Sequence, residues 1–324
     1  MKEQPLVSVA MVAYNQGKFV QEAILSIVNQ TYNNIELIIV DDGSSDDTME
    51  KIKEMEDICK KRFVKLTIVT QPNSGSCVAL TKAYKLCKGK YIYDIAADDI
   101  AKPKAIEKCA SFLENHDDYG LCVSDNEIIN DQSIRIGWTD NQESIDLKRA
   151  KYKSFGDFLK TNHPQIDFYS DQFGDYETFV TTNHVPNGYM LRNSIFDKIG
   201  YFTPEAPLED WWLMLQVSKY AKMKYLDEIL FSYRWHGNNT VKKQEYMRKI
   251  SIKTQLYEQK LVNSMSNKKW KHIFNEKFMR IRNKINLKPI FALYSVKGII
   301  DKRLILYILG KEFVLKKEVF CVYE

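Results

Sequence analysis

Apolar positions change period several times along this chain, and the changes mark its elements. Residues 6–12, Leu6-Val7-Ser8-Val9-Ala10-Met11-Val12, form a β-branched run that predicts a strand, while over 18–29 Phe19, Ala23, Ile24, Ile27 and Val28 recur at helical spacing. A second strand is expected over 35–40, a helix over 47–61 behind the N-cap candidates Ser44-Ser45-Asp46-Asp47, and a third strand over 66–69. Asn73-Ser74-Gly75 opens a helix that runs through Leu86 and is closed by Gly89. A fourth strand covers 91–95, Pro103 begins a helix, and a fifth strand covers 121–129. Strands alternating with helices in this way predict a mostly parallel central sheet flanked by helices on both faces.

Several of these apolar runs stop at polar groups. Asp41-Asp42 follows Ile38-Ile39-Val40, Asp98-Asp99 follows the strand at 91–95, and Glu209-Asp210 stands ahead of Trp211-Trp212. Ligands of parallel sheets sit beyond the carboxyl ends of the strands. Tyr14-Asn15, Asp41-Asp42, Gln71-Pro72-Asn73 and Asp98-Asp99 are therefore expected to converge on one rim. Each alone also reads as an ordinary loop, since Asp and Asn cap helices and favour turns. An acidic loop at a strand end can hold a divalent cation, which a bound diphosphate needs.

At 324 residues, with 44% hydrophobic and 27% charged side chains, the chain can build one large soluble domain and an appendage. Its net charge of +5 is unevenly placed: residues 241–324 carry 20 Lys and Arg against 7 Asp and Glu, leaving 27 against 35 for 1–240. Six cysteines, without a CxxC pair or a regular framework, read as small buried hydrophobes of a reducing compartment. Met1-Lys2-Glu3-Gln4-Pro5 enters a strand pattern without a signal-like apolar region, and no run of 18 apolar residues occurs, so a cytoplasmic location is expected.

Val7 to Asn15, Ser26-Ile27-Val28-Asn29-Gln30-Thr31-Tyr32 and the block from Glu36 to Thr48 with its Asp41-Asp42-Gly43-Ser44 together resemble the opening of the family 2 glycosyltransferases of GT-A fold. Gln71-Pro72-Asn73-Ser74-Gly75, Gly89-Lys90-Tyr91-Ile92, Asp98-Asp99-Ile100-Ala101-Lys102-Pro103, residues 192–202 and Glu209-Asp210-Trp211 continue it, so that it covers residues 5–240. The resemblance implies an inverting transferase that moves a sugar from a nucleotide-diphosphate donor, with Mn2+ or Mg2+, to an acceptor hydroxyl in surface polysaccharide synthesis.

It further implies roles for matching residues. Asp42 would take the base imide and Tyr14 lie against the base; Asn15, Asp41, Asn73, Gly75 and Asp98 complete the donor side. Asp98 and Asp99 are the metal candidates, with His236 of Tyr233-Arg234-Trp235-His236-Gly237 beside them; Arg234 and His236 would approach the diphosphate or metal. Asp210 is the candidate base, with Asn187, Gly188, Glu209 and Trp211 on the acceptor side. The chain departs from the family's Asp-x-Asp-Asp at Ala96-Ala97-Asp98-Asp99, where the first carboxylate is missing.

The expected organisation is a catalytic domain over 1–240, with a donor half at 5–130 and an acceptor half at 131–240, and a basic helical region over 241–324. The aromatic stretch 131–186 suits an acceptor wall, a lid or helix packing. Within the tail, 289–310 suits a helical hairpin, giving peripheral membrane contact near a lipid-linked glycan acceptor, a homodimer interface or a cap. Nucleic acid is not an expected partner. Two other classes stay open: a nucleotidyltransferase making nucleotide-sugars, although Tyr14-Asn15-Gln16-Gly17-Lys18 is a poor phosphate loop, and a non-catalytic nucleotide-sugar binder, motivated by Ala96.

Overall fold

The computed structural model describes residues 4–278, 280–288, 291–297, 301–308 and 311–319. Met1-Lys2-Glu3, Cys321 and the remaining positions of the predicted tail hairpin lie outside the described residues.

The first half follows the apolar pattern closely. Strand β1 (Val7–Ala13) leads through α1 (Val20–Val28) to β2 (Ile35–Asp41). The helix expected over 47–61 is divided into α2 (Thr48–Glu54) and α3 (Glu56–Arg62). At the break, the Met55 N–H turns to the Ile52 carbonyl three residues back, tightening the last turn of α2. Next come β3 (Lys65–Thr70), α4 (Ser76–Leu86), β4 (Tyr91–Ala96) and the short β5 (Ile100–Ala101). Helix α5 (Ala105–Asn115) starts two residues past Pro103, whose carbonyl instead accepts from the Thr31 N–H at 2.8 Å. Strand β6 (Tyr119–Ile129) ends this half.

Residues 131–186 hold small elements, β7 (Arg135–Trp138), β8 (Ser144–Ile145), α6 (Phe155–Asn162) and α7 (Tyr176–Phe179). Their aromatics are mostly packing groups. Phe168, Phe173, Tyr176 and Phe179 are buried in the main core, and Trp138 and Tyr152 form a satellite cluster with Trp235. The chain returns through β9 (Tyr189–Arg192), α8 (Phe196–Ile199), α9 (Glu209–Val217) and β10 (Lys222–Arg234).

The strands order as β3-β2-β1-β4-β9-β6-β10-β5. β1 to β4 are parallel, β10 is parallel to β6, and only β9 and β5 run against their neighbours on this path. Alternation along each strand separates two apolar layers: Val7, Val9, Met11 and Ala13 of β1 face one cluster, and Ala10 faces the other. Both faces of the sheet are thus covered, as its continuous β-branched runs require.

After β10 the chain forms α10 (Gln244–Ser264) and α11 (Lys268–Phe278), as the helical spacing of the tail predicts. The helical expectation fails beyond them. β11 (Arg280–Lys288), β12 (Phe291–Lys297), β13 (Asp301–Ile308) and β14 (Lys311–Val319) form a separate antiparallel meander. Its apolar residues are rich in Ile, Val, Phe and Tyr, which suit a pleated surface, and short runs of them do not distinguish helix from strand by period. Among the described residues, no helix is long and apolar enough to cross a membrane.

Helix α10 is also built into the main body of the fold rather than set apart as an appendage. Thr254 Oγ1 accepts from the Leu208 N–H at 3.0 Å, at the entrance to α9. Glu258, fully buried, accepts from Tyr176 and Gln216 and pairs with buried Lys219 at 2.6 Å.

Candidate active site

A cleft of about 540 Å³ opens at the carboxyl ends of β1, β2 and β4. The sequence accounts for its position: each strand ends where its apolar run meets a polar loop, and those loops cannot be buried in the apolar layers. Tyr14, Asp42, Asn73, Gly75, Asp98 and Asp99 line one part, and Asn187, Gly188, Glu209 and Asp210 line the rest. Four expected site residues are absent from this lining: Asn15, Asp41, His236 and Trp211.

Each of the four has another task. Asn15, at φ 53°, ties two loops together: its N–H donates to Ser44 Oγ at 2.9 Å and its Oδ1 accepts from the Ser45 N–H at 2.8 Å. Asp41 is buried and accepts from the Ser44 N–H at 3.3 Å, holding the turn after β2. Trp211 is a core residue, 4% exposed, whose indole N–H donates to the Phe179 carbonyl at 2.7 Å. His236 stands behind Asp98. Its Nδ1 accepts from the Asn238 N–H at 3.2 Å, which leaves Nε2 to donate to Asp98 Oδ2 at 3.1 Å. In that arrangement it orients the Asp98 carboxylate.

Arg234 is likewise turned away from the cleft. Buried to 1% exposure, it donates to the carbonyls of Asp98 and Asn130, to Ser133 and to Glu22, and lies over the Phe19 ring. Its own N–H reaches Asp99 Oδ1 at 2.8 Å. Arg234 and His236 together fix the Asp98-Asp99 turn.

On the donor side, Asp42 Oδ1 accepts from Gln71 Nε2 and the Ser74 N–H, and Oδ2 accepts from the Gly75 N–H at 2.9 Å. The loop is brought this close by Gly43, at φ 74°, where a Cβ would lie 2.6 Å from the Asn73 nitrogen. Gly75 then leads into α4, whose N-terminal end faces the cleft and favours an anion. Tyr14, 46% exposed, offers a flat face at the lip.

On the other side, Glu209 and Asp210 are the first two residues of α9, a helix whose residues from Trp211 to Val217 are all buried. Core packing on all sides therefore sets where these carboxylates stand. Asp210 Oδ2 accepts from Asn183 Nδ2 at 3.0 Å and Oδ1 from the Trp211 N–H at 2.6 Å. Burial raises the Asp210 carboxyl above its usual range, and burial with the Asp210 charge pushes Glu209 up to about 7. Gly188, at φ 73°, allows Asn187 to enter the cleft; a Cβ there would strike the Phe231 ring at 2.2 Å.

Sequence reading missed Asn183, which orients Asp210, and Asp94, which lines the cleft floor. Asp94 Oδ2 accepts from Tyr84 Oη at 2.7 Å, and burial with the Asp210 charge pushes its carboxyl up to about 7. Asp94 is the one charged residue within β4, and that was its only signal. Asn183, in an irregular segment, had none. Thr240, the last residue of the expected catalytic domain, and Tyr246, beyond it, also line the cleft.

Six carboxylates, Asp42, Asp94, Asp98, Asp99, Glu209 and Asp210, line this cleft, and among the described residues no Lys, Arg or His does. Asp99 Oδ2 is buried without a hydrogen-bond partner. Among the described residues no group of three His, Cys, Asp or Glu side chains is arranged as a complete metal site.

Comparison with known proteins agrees with this geometry. The family model for glycosyl transferase family 2 matches residues 8–197. An uncharacterized glycosyltransferase of Haemophilus influenzae is 32% identical over 243 residues, 74% of this chain and 68% of its own. A chondroitin synthase of Pasteurella multocida is 25% identical over 240 residues, covering 73% of this chain but 21% of its own. The mannosyltransferase PcManGT of Pyrobaculum calidifontis, solved with GDP-Man and Mn2+, superposes with a TM-score of 0.59 at 12% identity, covering 85% of this chain and 70% of its own. The chain belongs to glycosyl transferase family 2, its fold is GT-A, and it is a glycosyltransferase.

Proposed function

We propose that the chain is an inverting, metal-dependent transferase that moves a sugar from a nucleotide-diphosphate donor to a hydroxyl of a glycan or lipid-linked glycan. One observation carries this reading: a single cleft brings Asp42, Asp98 and Asp99 together with Asp210 and, among the described residues, offers no cationic side chain. A diphosphate cannot enter six carboxylates without a counter-cation. The hard oxygen donors of Asp98 and Asp99, including the unpartnered Asp99 Oδ2, fit Mn2+ or Mg2+, and these two residues would hold it. When bound, the cation supplies positive charge to the departing diphosphate.

The remaining work falls to the protein. Asp42 and the N-terminal end of α4 seat the nucleotide, and Tyr14 covers the base. Asp210, held by Asn183, takes the proton of the acceptor hydroxyl; that oxygen attacks the anomeric carbon as the bond from carbon to the diphosphate oxygen breaks, and the nucleoside diphosphate leaves. A glycan acceptor is supported by the similarity to a chondroitin synthase. The basic tail would bring the enzyme to an anionic membrane surface.

A thermal-shift panel of UDP-, GDP- and dTDP-sugars with Mn2+ tests the reading. One donor class is expected to raise the melting temperature, and EDTA to remove the shift. Asp210→Asn should then lower transfer on the order of a thousandfold or more while leaving that shift intact. A panel without any shift, or an Asp210→Asn enzyme with normal turnover, would refute it.

A further inference from the structure

We propose that Asp94 reads the transferred sugar, in a recess that the small side chain of Ala96 leaves between the carboxylates of Asp94 and Asp98. The inference rests on the donor reading above and goes beyond it, since neither the nucleotide nor the base chemistry requires this residue.

Strand β4 ends at Ala96, and Ala97 and Asp98 form a turn closed by the Asp99 N–H on the Ala96 carbonyl at 3.2 Å. Tyr91, Tyr93, Ile95, Ala97 and Asp99 are buried, whereas Asp94, Ala96 and Asp98 are partly open. Asp94 and Ala96 share one face of the strand, Asp98 follows in the turn, and all three line the cleft. Ala96 ends at a methyl group, so no carboxylate stands between Asp94 and the turn that carries Asp98. A carboxylate at position 96 would fill that space; this chain carries one at 94, one pleat earlier in the strand.

Asp94 also shares the cleft with both of its chemical ends, Asp98 at the diphosphate end and Asp210 at the acceptor end. A sugar joined to the diphosphate and facing Asp210 has to pass over this part of the floor. One oxygen of Asp94 is committed to Tyr84 Oη, which fixes the carboxyl plane. The other meets no hydrogen-bond partner among the described residues and is not a buried unpartnered atom. That oxygen can accept from a sugar hydroxyl or amide N–H, a contact that discriminates strongly because losing it strands a polar group.

Asp94→Asn tests the assignment, because it preserves shape and the acceptor for Tyr84. Titrations would use the best nucleotide-sugar of the UDP and GDP series and its matching nucleoside diphosphate, both with Mn2+. Affinity for the nucleotide-sugar is expected to fall about tenfold, with the nucleoside diphosphate unchanged, which also verifies folding. Asp94→Ala should lose at least as much and broaden acceptance among epimeric sugars on the same nucleotide. Equal weakening of both ligands, or no weakening of either, would overturn the role of Asp94 while leaving the donor reading intact. Failure of the unaltered enzyme to bind any nucleotide-sugar would overturn the donor reading, and this inference with it.

Discussion

At the residue scale, Glu209 and Asp210 show how burial and neighbouring charge divide labour between adjacent carboxyls. Glu209 titrates near 7 in the folded protein against an ordinary 4.5, through burial first and the Asp210 charge second. Its folded value is raised, so between those pH values the native state binds more protons than the unfolded chain. The stabilisation from this proton is complete below 4.5 and is lost as pH rises through 7. Glu209→Gln should therefore change stability little at pH 4.5 and gain on the order of 3 kcal/mol over the unaltered protein by pH 8. Thermal melts of both proteins across that range measure the difference. Because Glu209 is still protonated when Asp210 ionises, Glu209→Gln should leave the acid limb of the activity profile in place.

At the element scale, α9 is held from behind by α10. The Glu258–Lys219 pair is almost completely buried, with side-chain exposures of 1% and 0%, and Gln216 and Tyr176 occupy the carboxylate further. Removing one partner from such a pair is costly because the other charge is stranded. Glu258→Leu should destabilise the protein by about 3–5 kcal/mol, and Lys219→Met added to it should recover a large part, as measured by denaturant unfolding. Because Leu208 also hangs from Thr254, the single change should depress turnover at stabilising temperatures more than donor affinity. None of this was legible in the sequence. The β-branched runs of β1 to β4 are local signals, and they predicted the parallel half well; α4 ends at Leu86 with Cys87 already extended, before the Gly89 expected to close it. By contrast, the Glu258–Lys219 pair joins residues 39 apart, one on α10 and one in the turn after α9, and β9 is four residues long and set antiparallel by its neighbours. The polar loops at strand ends announced Asp42, Asp98 and Asp99 because topology alone converges them. Asp94 was hidden inside its strand, and Asn183 in an irregular segment.

At the scale of the whole molecule, charge is segregated: an acidic cleft lies in a catalytic portion of negative balance, and the strongly basic region follows it in sequence. Helices α10 and α11 carry part of that basic charge, and α10 is built into the core. The meander after them is different: residues 313–317 of β14 are exposed, and they join Phe313, Val314 and Leu315 to Lys316 and Lys317. Apolar groups beside basic ones match an anionic bilayer, in which aromatic and aliphatic side chains enter the interface and each nearby Lys or Arg adds about 1 kcal/mol. Deleting residues 280–324 is therefore expected to abolish sedimentation with vesicles containing phosphatidylglycerol, and the intact chain should lose the same binding as salt is raised from 0.1 to 0.5 M. Thermal shift by the nucleotide donor should survive the deletion, because the cleft lining ends at Tyr246. Unchanged vesicle binding would remove the membrane role, and a fall from dimer to monomer in sedimentation would assign the meander to contact between copies of this chain instead.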